Sequence, residues 1–261
     1  MPPKPRTYDP AKVRAALVAQ TEAVRAAVRR LSPADLDRPT RLGEWRVREL
    51  VAHLAVQAGW AARHLDDPLG GKPELSLAGW VAGVGELAPL LDEAAREQAA
   101  AASVVESFEA EAAALLALLD GPLDGARRFE IRLGSMPLAD FLVTRLVELV
   151  VHADDLADAL GVAFPHARQA LAAVSRLLAD AFATQVPGGA VELRVPPFAV
   201  VQAVPGPRHT RGTPPNVVET DPLTWIRLAT GRLSWPSALE DAVLSASGER
   251  SDLSAYLPVM R

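Results

Sequence analysis

Two ionisable side chains lie four residues apart in one of the most apolar stretches of the sequence. Glu148 and His152 are surrounded by branched aliphatic residues, and a helix that is apolar on all sides is typical of a buried helix. At this spacing the two side chains project from one helix face, with Cβ atoms about 5–6 Å apart. Asp155 follows on the same face. Because a buried carboxylate needs a compensating charge, the pattern indicates either metal ligands or a buried ion pair.

A third candidate ligand is His53, which has an equally apolar context. Together with Glu148 and His152 it gives two imidazoles and one carboxylate, a donor set that suits zinc and leaves a fourth position open for catalysis. Asp155 is then placed to orient a ligand imidazole. The spacing alone leaves a second interpretation open, in which Glu148 pairs with His152 or Arg145 and His53 is a hydrogen-bonded core histidine.

The composition narrows the class of protein. The chain has 261 residues, a formal charge of −5 and 49% hydrophobic residues, which predicts a globular protein of one large or two modest domains. The acidic balance gives no basic face for nucleic acid. We expect a cytoplasmic protein, because the amino terminus resembles no signal peptide and the longest apolar run is far shorter than the ~20 residues of a membrane span.

Cysteine is absent from the sequence. Disulfides, cysteine-ligated zinc, iron–sulfur clusters and a protein thiol nucleophile are therefore excluded. Any thiol chemistry at the candidate site would have to use a thiol supplied from outside the chain.

The elements that must position these residues are predicted to form an α+β protein of two domains. Residues 1–163 show helical periodicity and predict a four-helix bundle. Its predicted elements are a first helix carrying Val13 to Leu31, a turn or short helix opened by Ser32 and Pro33, helices over 45–65, 76–119 (broken at Pro89) and 137–160, and a strand over 128–133.

Residues 164–261 predict a small α+β domain, because period-two runs replace the helical pattern. The predicted elements are a helix over 166–186, strands over 191–195, 199–204, 217–218 and 242–247, and a helix that begins after Asp221 and ends at Gly231.

Two features of this second domain are candidates for anion binding. Arg208 and Arg211 lie among glycines, threonines and prolines in the segment 206–216, a composition typical either of a loop that binds an anion or of a solvated turn. Arg232 directly follows Gly231. It either binds a carboxylate or hydrogen-bonds the last carbonyls of the preceding helix.

The segments that carry the candidate ligands resemble a known family. Residues 43–53 and 139–157 are similar to the second-helix and fourth-helix signatures of the mycothiol-dependent maleylpyruvate isomerase family, within the DinB-like metal-binding four-helix superfamily. Residues 221–232, 246–248 and 251–258 resemble its carboxy-terminal domain, which is similar to sterol carrier proteins, a label that some actinobacterial relatives carry.

The resemblance implies that Zn²⁺ is bound by His53, Glu148 and His152, that the small thiol mycothiol is the cofactor, and that Arg232 is the catalytic arginine. The implied reaction is thiol addition to a cis double bond, rotation and elimination, or else S-transfer to an electrophile. The 206–216 loop adds Arg208 and Arg211 as candidate cofactor-binding residues. The expected partners are therefore a small-molecule thiol and an electrophilic or carboxylate substrate.

Two rival functions stay open at this point. In the first, the sterol-carrier-like domain binds an apolar ligand without catalysis and the bundle is structural. In the second, the chain is a zinc hydrolase that uses bound water in place of a thiol.

Overall fold

The computed structural model describes residues 6–101, 103–207 and 214–261. Its helices are α1 (Pro10–Val28), α2 (Pro33–Leu36), α3 (Val47–His64), α4 (Leu77–Gly83), α5 (Ala88–Ala101), α6 (Val104–Asp120), α7 (Leu138–Leu160), α8 (Arg168–Gln185), α9 (Pro222–Ala229) and α10 (Trp235–Glu240). Its strands are β1 (Arg128–Ile131), β2 (Gly134–Pro137), β3 (Val191–Val195), β4 (Ala199–Ala203), β5 (Val217–Thr220) and β6 (Leu244–Ser247). This mixture confirms the predicted α+β class.

The first compact unit, the helical unit, comprises Tyr8–Leu75 and Glu86–Ala170. In it α3 packs against α5, α6 and α7, while α1 packs against α6 and α7. The four-helix bundle predicted from periodicity is therefore α1, α3, α6 and α7, with α5 packed along α3. Fully buried aliphatic and aromatic side chains such as Leu17, Leu50 and Phe108 form its core.

The ends of the bundle helices follow their sequence signals. Asp9 caps α1 by accepting hydrogen bonds from the backbone N–H groups of Ala11 and Lys12, and Ser32 forms a capping box with Asp35. α7 ends at Gly161, which has a φ of 67°, a left-handed conformation that glycine adopts without a steric penalty. Gly161 thus sets the carboxyl end of α7, the helix that carries two of the candidate ligands.

The helical stretch predicted over 76–119, kinked or split at Pro89, forms the three helices α4, α5 and α6. The split near Pro89 is confirmed, because α4 ends at Gly83 and α5 begins at Ala88. Pro89 is the second residue of α5, a first-turn position where its missing N–H costs nothing. The sequence analysis missed a second break, where α5 ends at Ala101 and α6 begins after the extended residue Ser103. Serine favours such positions, but the surrounding alanine-rich sequence hides this signal. The sequence analysis also missed β2 and α10.

The second compact unit, the α+β unit, is formed mainly by Ser76–Gly85 and Leu171–Arg261. Its sheet has the order β4-β3-β5-β6, with β3 parallel to β5 and the other neighbours antiparallel. Alternate residues of β3 are buried, as expected for a strand with one face on the core. Phe182 of α8 and Trp225 of α9 pack edge to face, with ring centroids 5.8 Å apart.

A segment from the middle of the sequence completes this α+β unit. α4 contributes Trp80 and Val81, which are both buried. At Gly85, which follows α4, an added Cβ would overlap the backbone carbonyl of Arg261, so only glycine allows this close approach. The predicted domain bounds 1–163 and 164–261 stay a prediction.

Among the described helices, none combines the length and the apolar character needed to cross a membrane.

Candidate metal centre

The candidate metal centre lies between α3 and α7 of the helical unit. α7 is buried at every position from Phe141 to Ala157, because aliphatic residues surround it on all sides. Glu148 and His152 lie one turn apart on this helix, and His53 reaches them from α3. The packing of α3 on α7 therefore brings together residues 95 positions apart in the sequence.

The three side chains converge on one carboxylate oxygen. Nε2 of His53 lies 3.1 Å from Oε2 of Glu148, and Nε2 of His152 lies 3.4 Å from the same oxygen. One donor atom from each residue falls within 4.8 Å of the others, and the two imidazole rings meet edge to face at 4.7 Å. The convergence expected from the sequence is thus present in the structure.

A second contact of His152 indicates that the cluster requires either an added proton or a metal ion. Nδ1 of His152 lies 2.9 Å from Oδ2 of Asp155, in the orienting position that the sequence predicts. In a neutral imidazole that donates from Nδ1 to Asp155, Nε2 has a lone pair and no proton. This lone pair faces the acceptor oxygen of Glu148, so the contact requires either an added proton or a metal ion. Two imidazole nitrogens and a carboxylate oxygen this close together are a donor set that fits a divalent ion such as zinc.

The directions of the pKa shifts favour metal ligation by Glu148 and His53. Burial acts to raise the pKa of Glu148, but the hydrogen bonds to His152 and His53 and the charge of Arg145 hold it well below its usual value. Burial lowers the pKa of His53 despite its bond to Glu148. Burial also acts to lower the pKa of His152, yet the bonds to Asp155 and Glu148 raise it on balance. These directions favour an ionised Glu148 and a neutral His53, as ligands must be, whereas His152 has to lose its proton when a metal binds.

An arginine that the sequence analysis missed fixes the orienting carboxylate. Arg41, in the loop before α3, donates from Nε to Oδ1 of Asp155 at 2.7 Å and from Nη2 to Oδ2 of Asp154 at 2.6 Å. Both carboxylates are almost fully buried. Two adjacent aspartates in an apolar helix indicate that a cationic side chain must pair with them. The sequence does not show that this residue is Arg41, because Arg41 lies 114 residues away from Asp155.

We expect Arg41→Gln to lower the free energy of unfolding by about 2 kcal/mol. Loss of a fully buried partner costs about 3–5 kcal/mol, and the partial exposure of Arg41 reduces that cost. The matched control is Arg127→Gln, since Arg127 pairs with Asp66 in an exposed ion pair and its loss should cost less than about 0.5 kcal/mol. Urea denaturation measures both values. Equal stability of the two variants would contradict the assignment.

The second interpretation, in which Glu148 pairs with His152 or Arg145 and His53 is a hydrogen-bonded core histidine, agrees with the structure only in part. Its contact with His152 is present, and His53 has a hydrogen-bond partner. Within the described part of the chain, however, Arg145 forms no ion pair with Glu148. Its guanidinium contacts Gln57 and Thr144 instead.

A tryptophan lines the same region. The ring of Trp45 lies 5.3 Å from that of His53, centroid to centroid, and its Nε1 donates to Oδ1 of Asp92 at 2.6 Å. Trp45 lies just before α3. The hydrogen bond fixes the indole against the imidazole.

Of the other predicted site residues, the structure describes only Arg232. Arg232 follows α9 in the α+β unit, where its Nη1 donates to the carbonyl of Thr230 at 2.8 Å. Its role as the catalytic arginine stays a prediction. Arg208 and Arg211 lie outside the described residues.

Comparison with known proteins places this geometry in a family. Residues 17–157 match the family model described as the mycothiol maleylpyruvate isomerase N-terminal domain, and residues 167–259 match the model described as a bacterial SCP ortholog. No curated protein matches the chain.

Two solved structures share the fold. The crystal structure of the mycothiol-dependent maleylpyruvate isomerase is 17% identical, with a TM-score of 0.63 over 94% of this chain and 95% of that chain. A histidine-to-alanine mutant of that isomerase has the same identity and coverage, with a TM-score of 0.62. The first family model covers more than half of the sequence. This chain, with its buried His–Glu–His cluster between two bundle helices, therefore belongs to the mycothiol maleylpyruvate isomerase family.

Proposed function

We propose that this chain is a zinc-dependent enzyme that uses mycothiol to isomerise a maleylpyruvate-like acid, or to transfer the thiol to an electrophile. The observation that carries the proposal is the convergence of His53, Glu148 and His152 within 4.8 Å in an apolar interior. The family match and the likeness to a structure titled as the mycothiol-dependent maleylpyruvate isomerase support the choice of thiol and substrate class.

His53, Glu148 and His152 would hold the ion. A bound divalent cation supplies positive charge that makes a thiolate available at neutral pH, where a free thiol with a pKa near ~8.5 is mostly protonated. In the neutral tautomer that donates from Nδ1 to Asp155, Nε2 of His152 would be unprotonated and able to bind the ion. Arg41 holds that carboxylate in place.

The arginines of the other half of the chain have proposed roles as well. Arg232 would stabilise the negative charge that develops on the substrate. Arg208 and Arg211 would bind the thiol cofactor through polar or anionic groups. These roles rest on the resemblance and on composition.

Metal content and thiol dependence test the proposal together. Purified protein should contain about one zinc per chain by elemental analysis, in line with a site of three protein ligands. Maleylpyruvate should be converted to its trans isomer only when both the metal and mycothiol are present, followed by ultraviolet absorbance. Hydrolysis of a substrate by the metal-loaded protein without any thiol would instead favour a zinc hydrolase.

The match to a bacterial SCP ortholog over residues 167–259 favours a second candidate function. In this alternative, the α+β unit binds an apolar ligand and the helical unit has no catalytic role. A protein that binds lipid tightly and purifies without metal, even after zinc is supplied, would support this carrier function over the enzyme.

A further inference from the structure

Arg145 is a buried cation that has only neutral partners. Its Nε and Nη2 donate to Oγ1 of Thr144 at 3.2 and 3.1 Å, and its Nη1 donates to Oε1 of Gln57. The guanidinium carbon lies 4.5 Å from the centre of the Phe141 ring. Among the described residues, no carboxylate comes within ion-pairing distance of it, although the side chain is only 6% exposed.

These contacts leave donors of Arg145 unused. A guanidinium has five N–H groups, and the three bonds take one hydrogen from each nitrogen. Each of Nη1 and Nη2 thus keeps a second N–H that no described protein group accepts. The two hydrogens lie on the terminal nitrogens, the pair that binds a carboxylate in a two-pronged arrangement.

The charge of Arg145 is also compensated only in part. An arginine stays protonated in proteins, and a buried charge is costly unless it is paired. Glu148 lies one turn further along α7, but both imidazoles of the candidate centre contact its carboxylate. Burial lowers the pKa of Arg145, and the charge of Glu148 offsets this only in part. The site therefore favours an anion from outside the chain.

The small exposed fractions of a few side chains on α3 and α7 indicate where such an anion can approach Arg145. On α7, the polar residues Arg145, Glu148 and His152 are 5–9% exposed. Gln57 on α3 is 8% exposed. The aliphatic residues between them on α7 are at most 2% exposed, and these are Leu146, Val147, Leu149, Val150 and Val151. The small accessible area thus follows a polar stripe that runs from Arg145 to the candidate metal centre, as in ligand sites with few polar groups in an apolar wall.

We propose that Arg145 binds a carboxylate group of a small organic acid whose reacting atoms lie at the His53–Glu148–His152 centre. This inference rests on the proposed function and names the residue that recognises its acidic substrate. Gln57 and Thr144 hold the guanidinium plane in place, and the two free N–H groups bind the carboxylate oxygens. Arg145 is thus assigned to substrate binding, and Arg232 is not required for this role.

Binding of maleate, a stable cis-dicarboxylate, tests the proposal. Isothermal titration calorimetry compares zinc-loaded wild type with Arg145→Met, Arg145→Lys and the surface control Arg127→Met. We expect Arg145→Met to weaken maleate binding by about 10- to 100-fold, the range for loss of hydrogen bonds to a charged group. Arg145→Lys keeps the charge without the two-pronged geometry and should weaken binding less. The neutral diamide maleamide should bind all four proteins equally weakly.

Two further measurements separate substrate binding from a structural role. Zinc content should be unchanged in Arg145→Met, and its melting temperature should not fall, because replacing an unpaired buried charge by an apolar side chain is often neutral or stabilising. If Arg145→Met does not fold, the maleate affinity of Arg145→Lys is compared with that of wild type instead. Maleate affinity equal to that of wild type in the folded Arg145 variants overturns the proposal, as does a wild type that does not bind maleate.

Failure of this inference can be told apart from failure of the proposed function. If wild type converts maleylpyruvate with mycothiol but the Arg145 variants keep full maleate affinity, only the subsite is wrong. If wild type binds maleate through Arg145 but shows no thiol-dependent turnover, the proposed reaction is wrong and the anion site stands.

Discussion

Glu148→Ala and His53→Ala, tested singly, should each reduce bound zinc to less than about a tenth of the wild-type content. They should also reduce thiol-dependent turnover by on the order of 10³-fold or more, since changes outside the ligand set already cost about 10- to 100-fold. The reason is geometric. Each variant leaves only two protein donors where three converge within 4.8 Å in wild type, and two donors hold a catalytic zinc poorly.

The matched control is His64→Ala. His64 lies at the end of α3, the helix that carries His53, and it pairs with Asp67 near the surface. Its removal should leave zinc content and turnover unchanged. Elemental analysis after dialysis against a weak chelator gives the zinc content, and circular dichroism confirms the fold. One zinc per chain in Glu148→Ala would show that the metal lies elsewhere.

The second large effect is expected at Asp155. Its carboxylate is fully buried, faces Nδ1 of His152 and accepts a hydrogen bond from Arg41. In Asp155→Ala, Arg41 loses one of its two buried partners and His152 loses the group that fixes its proton. We expect the free energy of unfolding to fall by about 3–5 kcal/mol, the cost of breaking a buried ion pair.

The milder Asp155→Asn variant should retain the fold and weaken zinc binding by about 10- to 100-fold, because the amide keeps the shape but not the charge that orients the imidazole. Zinc affinity is measured by competition with a fluorescent chelator. Asp158→Ala is the control, since Asp158 is half exposed and 3.8 Å from Nη1 of Arg41, so its loss should cost less than about 0.5 kcal/mol. If Asp155→Ala is as stable as Asp158→Ala, Arg41 does not stabilise the centre.

Local sequence signals were sufficient to predict much of the fold. The Asp221–Pro222 pair marks the start of α9, and Gly161 marks the end of α7, because capping depends on residues next to each other in the chain. The candidate ligands were also readable, since a charged group among aliphatic residues on a helix needs a partner.

Long-range features could not be predicted in the same way. Nothing near Arg41 indicates that it pairs with residues on α7, because that contact depends on how the loop before α3 packs. The missed strand β2 is short, and it pairs with β1 through residues that have little strand propensity of their own, such as Gly134 and Pro137. Both cases depend on tertiary packing rather than on neighbouring residues.

The place of α4 in the α+β unit bears on how the chain folds during synthesis. The bundle elements through Ala170 leave the ribosome first and can close around their own core. The segment Ser76–Gly85 emerges early, but its unit also needs the residues from Leu171 onward. Trp80 is therefore exposed on the nascent chain until late in translation, and exposed apolar groups of this kind attract chaperones. A slower ribosome over the last third of the message should lengthen that exposure and lower the soluble yield.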